Sequence, residues 1–217
     1  NNQAKRACVV GGGFIGLEMV EALVARGLEV DLVEMSDHVM PNSDPEMAFP
    51  LTQELERHGV NVLTNHQLVK VVDNGEDLTL SLSNDVTLRS DILISAIGVR
   101  PETTLAKACG IDIGKTGAIK VNQYMETNLS DIFAVGDAVE DTHFVDGSAR
   151  FIPLAGPANR QGRIAAENML GGKVSYNQTQ GTAICKVFDL AIAQVGLGEA
   201  QLKAAGKPFA KTYVHGP

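Results

Sequence analysis

Residues 5–18 read KRACVVGGGFIGLE. Lys5 to Val10 reads as a buried strand whose apolar run, Ala7 to Val10, is broken by Gly11-Gly12-Gly13-Phe14-Ile15-Gly16 and then resumes at a different period. Leu17, Val20 and Val24 fall on one face of a predicted helix over 14–26, and Gly27 stands where a glycine ends such a helix. Leu28 to Glu34 reads as a second strand, so the spacing predicts a βαβ unit of 30 residues, Lys5 to Glu34. G-x-G-x-x-G at the first turn of such a unit gives each glycine a task. Gly11 permits the tight turn, Gly13 lets the backbone approach a pyrophosphate, and Gly16 lets helix and strand pack closely. The first-turn N–H groups and the positive end of the helix dipole favour phosphate there. Glu34 ends the second strand, 18 residues after Gly16. An acid at that place accepts hydrogen bonds from the adenosine ribose hydroxyls. A 2′-phosphate would meet a carboxylate in place of an arginine, which points to NADH rather than NADPH. A ligand-free glycine turn and a solvated strand-end carboxylate are the competing readings.

Downstream, a helix is expected over 45–58, with Pro50 kinking it or delaying its start, and a strand over 60–64. The period then changes to two. Leu68–Val72, Leu78–Leu82 and Val86–Leu88 alternate around the turns Asp73-Asn74-Gly75 and Ser83-Asn84-Asp85, the pattern of an antiparallel meander. Asp91–Ile97 reads as a strand returning to the parallel sheet. Arg100-Pro101 marks a boundary. A short helix (103–109) and strands near 118–121 and over 131–135 follow. Pro157 marks the first turn of a helix that runs to Leu170, where Gly171-Gly172 ends it. From Thr182 the chain is β-rich again (183–188, 191–195), with a short helix near 198–205. The fold class is α/β: a Rossmann-like domain with an inserted meander over 1–100, then further α/β and α+β segments over 101–173 and 174–217.

Composition narrows the function. The chain has 217 residues, 44% of them hydrophobic and 20% charged, the proportions of a globular protein. A formal charge of -8 offers nothing to a nucleic-acid backbone or an anionic membrane surface. No apolar run reaches membrane-spanning length, and the polar opening Asn1-Asn2-Gln3 is no signal peptide. Three cysteines (Cys8, Cys109, Cys185), none in a CxxC pair, argue against a disulfide framework and for a reducing cytoplasm. The five histidines show no metal-ligand spacing and no clustered acidic or cysteine partner, so no metal is expected.

A second candidate site lies at Asp131-Ile132-Phe133-Ala134-Val135-Gly136-Asp137, where an apolar segment delivers Gly136 and Asp137 to a strand end. The helix starting near Pro157 could set its N-terminus against a group that gains negative charge, as the N1/O2 edge of a reduced flavin does. The strings VVGGGFIGLE, SAIGVRPET, DIFAVGDA and PLAGPANRQGRIAAENM, in this order, resemble the FAD-dependent pyridine nucleotide-disulfide oxidoreductases, nearest the coenzyme A-disulfide reductase, NADH oxidase and NADH peroxidase branch. The resemblance covers essentially the whole chain.

The resemblance implies an NAD-binding domain over 1–100, the second segment of an FAD-binding domain over 101–173, and the start of a dimerisation domain over 174–217. It implies NADH contacts at Gly11, Gly13, Gly16, Glu34 and Gly98. Phe14 matches an aromatic gate between nicotinamide and flavin, Ile15 a position beside the nicotinamide, and Glu18 a glutamate near the nicotinamide–flavin interface. Asp137, beside Gly136, matches the aspartate that holds the FAD ribitol, and Leu154, Ala155 and Ala158 surround the flavin pyrimidine edge. Family members open with an FAD-binding βαβ unit and a redox cysteine. Neither has a counterpart here, so no catalytic residue is named and the sequence reads as an internal fragment that binds NADH without turning it over. The implied acceptor is a small disulfide or persulfide, oxygen or peroxide, and the implied assembly is a homodimer. A flavin-free NAD-dependent dehydrogenase would call for a catalytic His, Lys or Tyr after the βαβ unit, and none is evident. A nonenzymatic NAD-binding module leaves Asp137 and its following helix without a role.

Overall fold

The computed structural model describes residues 4–214, so Asn1-Asn2-Gln3 and His215 lie outside the described residues. The chain forms two compact units. One comprises the residues up to Gly98 together with Ile184–Ala193 and Leu197 onward, and the other comprises Val99–Ala183 with Gln194–Gly196.

The first unit is built on β1 (Arg6–Val10), α1 (Phe14–Val24), β2 (Glu29–Val33), α2 (Pro45–Arg57), β3 (Asn61–Leu63), β4 (Leu68–Asp73), β5 (Leu78–Leu82), β6 (Thr87–Ser90) and β7 (Ile92–Ser95). A four-stranded parallel sheet has the order β3-β2-β1-β7, with Val9 in register with Leu32 on one side and Ile94 on the other. The interior place of β1 explains its unbroken apolar run: Ala7, Cys8, Val9 and Val10 are all buried, as a strand covered on both faces requires. β4, β5 and β6 form the expected antiparallel meander. Its buried Leu80 and Leu82 pack with Cys8, Val10 and Val33, whereas Leu17, Val20, Leu32 and Leu55 belong to a separate core cluster. α2 begins at Pro45, so Pro50 does not delay its start but lies inside it.

That second cluster takes in residues from far along the chain. β10 (Ala183–Val187) and β11 (Leu190–Gln194) make a hairpin whose Cys185, Val187 and Ile192 are buried among the first unit's core residues. The hairpin's turn is fixed from below: the Phe188 N–H donates to Glu21 Oε2 at 3.0 Å, and the Phe188 ring stacks on His58 with centroids 3.8 Å apart. α5 (Glu199–Ala204) follows, its first N–H held by Asp44 Oδ1 at 2.8 Å.

The second unit holds α3 (Thr104–Ala108), a single 3-10 turn (Gly136–Ala138), the short pair β8 (Asp141–Thr142) and β9 (Ala149–Arg150), and α4 (Ala155–Met169). Two expected strands are not formed. Residues 118–121 contribute only single bridges from Ile119 to Ile113 and Val139, and 131–135 a single bridge from Phe133 to Glu126. Their backbone groups are spent on turns instead: the Ile132 N–H reaches back to Leu129 O, and Asp131 takes a φ of +63°. Apolar composition alone cannot tell such a bridged segment from a ladder strand. α4 begins two residues earlier than Pro157 predicted, at Ala155.

Candidate functional site

The C-terminal ends of β1, β2 and β7 converge where an open parallel sheet binds ligands. Gly11 follows β1 with φ +108°, and a Cβ there would fall on the Ala96 carbonyl oxygen. Ala96 follows β7, and its N–H donates to Val10 O at 2.7 Å, which locks the two strand ends together. A Cβ on Gly16 would fall on the Gly11 carbonyl oxygen. Helix α1 is thus seated directly on the turn. Around Gly13, by contrast, a Cβ would meet nothing within 4 Å. The structure therefore crowds two of the fingerprint glycines and leaves space at the third, over the N-terminus of an 11-residue helix whose first N–H groups have no partner within the helix. That is the cradle a pyrophosphate needs, and the residues fit NADH.

Glu34 stands beside this cradle, buried, with both carboxylate oxygens engaged. Oε2 accepts the Gly12 N–H at 2.6 Å and Oε1 accepts the Ser36 N–H at 2.7 Å. Two backbone donors hold an ionised carboxylate in one orientation, and the remaining lone pairs stay available to hydroxyl donors. The Met40 N–H bonds the Gly12 carbonyl at 2.8 Å, with Met40 at φ +52°, so the segment after β2 folds back over the glycine turn. Ile15 and Glu18 are exposed on α1, Phe14 is partly buried against the core, and Gly98 has φ +104° just past β7. Gly12, Ser36 and Ala96 were not singled out from sequence. Gly12 occupies an unconstrained place of the string, and nothing in linear sequence marks the backbone amides that a carboxylate will meet.

The second unit brings Gly136, Asp137 and Ala158 together. Gly136 has φ +73°, and a Cβ there would lie 3.5 Å from the Ala158 Cβ. Asp137 is exposed, as is Ala155, while Leu154 caps the N-terminus of α4. Behind them Gln161 and Asp141, which sequence reasoning also missed, form a buried polar pair, and burial pushes the Asp141 carboxyl up to about 6. These residues offer a carboxylate and a helix N-terminus, which fit the ribitol and ring-edge contacts of a flavin.

All three cysteines are free thiols. Burial raises Cys8, with Asp31 adding to the effect, to about 12, and burial raises Cys185 to about 11, so neither is a thiolate at neutral pH. The expectation that no histidine clusters with acids does not hold. His58, Glu54 and Asp189 bring ligand-type atoms within 4.8 Å of one another, because Glu54 and His58 share a face of the helical turn and the hairpin adds Asp189. Arg57 already pairs with the Glu54 carboxylate at 2.8 Å. Among the described residues no helix is long and apolar enough to cross a membrane.

A family model described as pyridine nucleotide-disulphide oxidoreductase matches residues 1–162. The chain is 32% identical over 98% of its length to a CoA-dependent NAD(P)H sulfur oxidoreductase of Pyrococcus abyssi, covering 48% of that protein. It is 40% identical over 90% of its length to an NADH oxidase of Methanocaldococcus jannaschii, covering 44%. The crystal structure of reduced CoADR-RHD from Bacillus anthracis superposes with a TM-score of 0.91 at 43% identity, over 96% of this chain and 37% of that one. The chain thus spans about half the length of the curated relatives it matches.

Proposed function

Because the chain belongs to the pyridine nucleotide-disulphide oxidoreductase family, we propose that it is the NADH-binding portion of an FAD-dependent disulfide oxidoreductase. The whole protein passes hydride from NADH to FAD and electrons on to a small disulfide, CoA disulfide or persulfide. The observation that carries the cofactor assignment is the buried Glu34 carboxylate, oriented by the Gly12 and Ser36 amides beside the open backbone of Gly13. Bound together, the two cofactors supply the hydride donor and its acceptor. The chain's residues bind and orient: the α1 N-terminus attracts the pyrophosphate, Glu34 accepts from the ribose hydroxyls and disfavours a 2′-phosphate, and Phe14, Ile15, Glu18 and Gly98 line the path of the nicotinamide half. Asp137 accepts from the ribitol chain, and the positive end of α4, at Leu154, Ala155 and Ala158, favours negative charge on the ring edge. Residues 1–100 are assigned to the NAD-binding domain, 101–173 to the FAD-binding domain and 174–217 to the start of the interface domain. A cytoplasmic homodimer is the assembly expected.

Oxygen or peroxide as acceptor is the second reading, favoured by the likeness to an NADH oxidase at 40% identity. Calorimetric titration of the chain with NADH and NADPH tests the cofactor assignment: NADH is expected to bind at least 10-fold tighter, and equal affinities overturn the role of Glu34. Anaerobic assays of the whole protein with CoA disulfide, set beside aerobic assays without it, decide the acceptor.

A further inference from the structure

We propose that Gln161 is a positioning residue that holds the Gly136–Asp137 turn in its flavin-binding geometry through a side-chain amide relay to Asp141. The role rests on the flavin reading given above. Gln161 is fully buried on α4, sharing that helix's inner face with Ile164, Ala165 and Asn168. An apolar side chain would fill the place without desolvating an amide, so the glutamine is tolerated only where both of its ends are matched. They are. Oε1 accepts the Gly136 N–H at 2.7 Å, and Nε2 donates to Asp141 Oδ1 at 2.8 Å. A backbone N–H can only donate, which fixes the amide's orientation and turns its NH2 toward the carboxylate.

One side chain therefore ties down both ends of the segment 136–141. Within that segment the Val139 N–H closes back on Gly136 O at 3.1 Å, and Gly136 sits at φ +73° with Ala158 close behind it. Asp137, the next residue, is exposed. Its direction depends on the φ and ψ of Gly136, and among the described residues the side chain hydrogen-bonded to Gly136 is Gln161. Asp141 is itself buried, as is the nearby Tyr176, over whose ring the Arg160 guanidinium lies at 6.0 Å. Burial raises the Asp141 carboxyl and the Gln161 amide works against that rise, so the relay is the contact that makes a carboxylate tolerable there.

The test is a reversal of the relay. Gln161→Leu removes both bonds. Gln161→Glu keeps an acceptor for Gly136 but sets a second carboxylate oxygen against Asp141. Gln161→Glu combined with Asp141→Asn restores the pattern in reverse, because the Asn amide can donate to the Glu carboxylate. Two readouts are taken on the whole protein: hydrogen exchange at the Gly136 amide without flavin, and FAD affinity by fluorescence titration. Both single variants at position 161 are expected to lose roughly 10-fold in amide protection and in FAD affinity. The double variant, which also serves as the folding control, is expected to regain most of both. Loss and rescue of protection with unchanged FAD affinity overturns the positioning role and leaves the flavin reading intact. Unchanged protection at Gly136 overturns the relay itself. Failure of the unmutated whole protein to bind FAD overturns the flavin reading and the role with it.

Discussion

Replacing Glu34 by Gln changes one atom and should cost stability and affinity together. The carboxylate accepts two short backbone bonds, from Gly12 at 2.6 Å and Ser36 at 2.7 Å, in a buried place. A Gln side chain has one acceptor oxygen and one NH2 group, so whichever way it turns it presents a donor to one of these N–H groups. A buried N–H left without an acceptor costs about 1–3 kcal/mol, and reducing the other bond from charged to neutral costs about 1 kcal/mol more. The sum is about 2–4 kcal/mol of folding stability. The same loss of charge weakens each ribose contact by about 1 kcal/mol, roughly a 5-fold rise in the Kd for NADH per hydroxyl bond. Urea denaturation reads the first quantity and calorimetric titration the second. A stability change below about 0.5 kcal/mol would show that the two amides do not depend on this carboxylate. An unchanged Kd alongside the stability loss would mean that Glu34 organises the turn and never meets the ribose.

Five further outcomes follow from the same structure. Glu34→Arg should move preference toward NADPH, and a variant that still discriminates against the 2′-phosphate would locate selectivity elsewhere. Asp137→Ala in the whole protein should yield colourless or easily bleached material, whereas wild-type flavin content would reduce Asp137 to a turn residue. For Asp141 the folded pKa, about 6, lies above the ordinary 3.8. Its protonated form therefore stabilises the fold below about pH 4, and that contribution is lost as pH rises through 6. The shift, which already includes the opposing bond from Gln161, corresponds to about 3 kcal/mol. Asp141→Asn should thus unfold up to about 3 kcal/mol harder than wild type well above pH 6, with the advantage gone below pH 4. Asp146 has the opposite sign: Ser148 donates to it and holds it down at about 2, so its contribution is present at neutral pH and lost as pH falls from about 4 toward 2. Val187→Ala should cost about 2 kcal/mol by opening a cavity where Val187 is fully buried. A loss within noise would detach the hairpin from that core.

The βαβ unit was legible because each of its signals is local. Residues 5–34 carry their own period, their own glycines and their own strand-end acid, and the structure reproduces them as β1, α1 and β2. The meander was legible for the same reason, with turn residues marking each reversal. What escaped depends on partners distant in sequence. The Glu34 clamp needs Gly12, the floor under Gly11 needs Ala96, and the buried pair of Gln161 and Asp141 is twenty residues apart. The segment 131–135 was misread because apolar composition gives no hint of whether a second strand lies alongside. His58 was misjudged although Glu54 lies four residues earlier. That spacing was readable, but the third member of the group, Asp189, arrives from the far hairpin.

The hairpin's place in the core sets an order on how the protein is made. The first unit's sheet is encoded by residue 95, yet Val187 and Ile192, which share a core cluster with Leu17, Val20 and Leu55, lie some ninety residues further on. At about 5–20 residues per second of synthesis, the nascent sheet waits roughly 5 to 20 seconds with part of its apolar surface uncovered while the second unit emerges. Closing so long a loop also carries an entropic cost that grows with its length. The first unit's core is thus closed only after the second unit has been made, and a chaperone or a ribosome pause acting in that interval would influence the yield of folded protein.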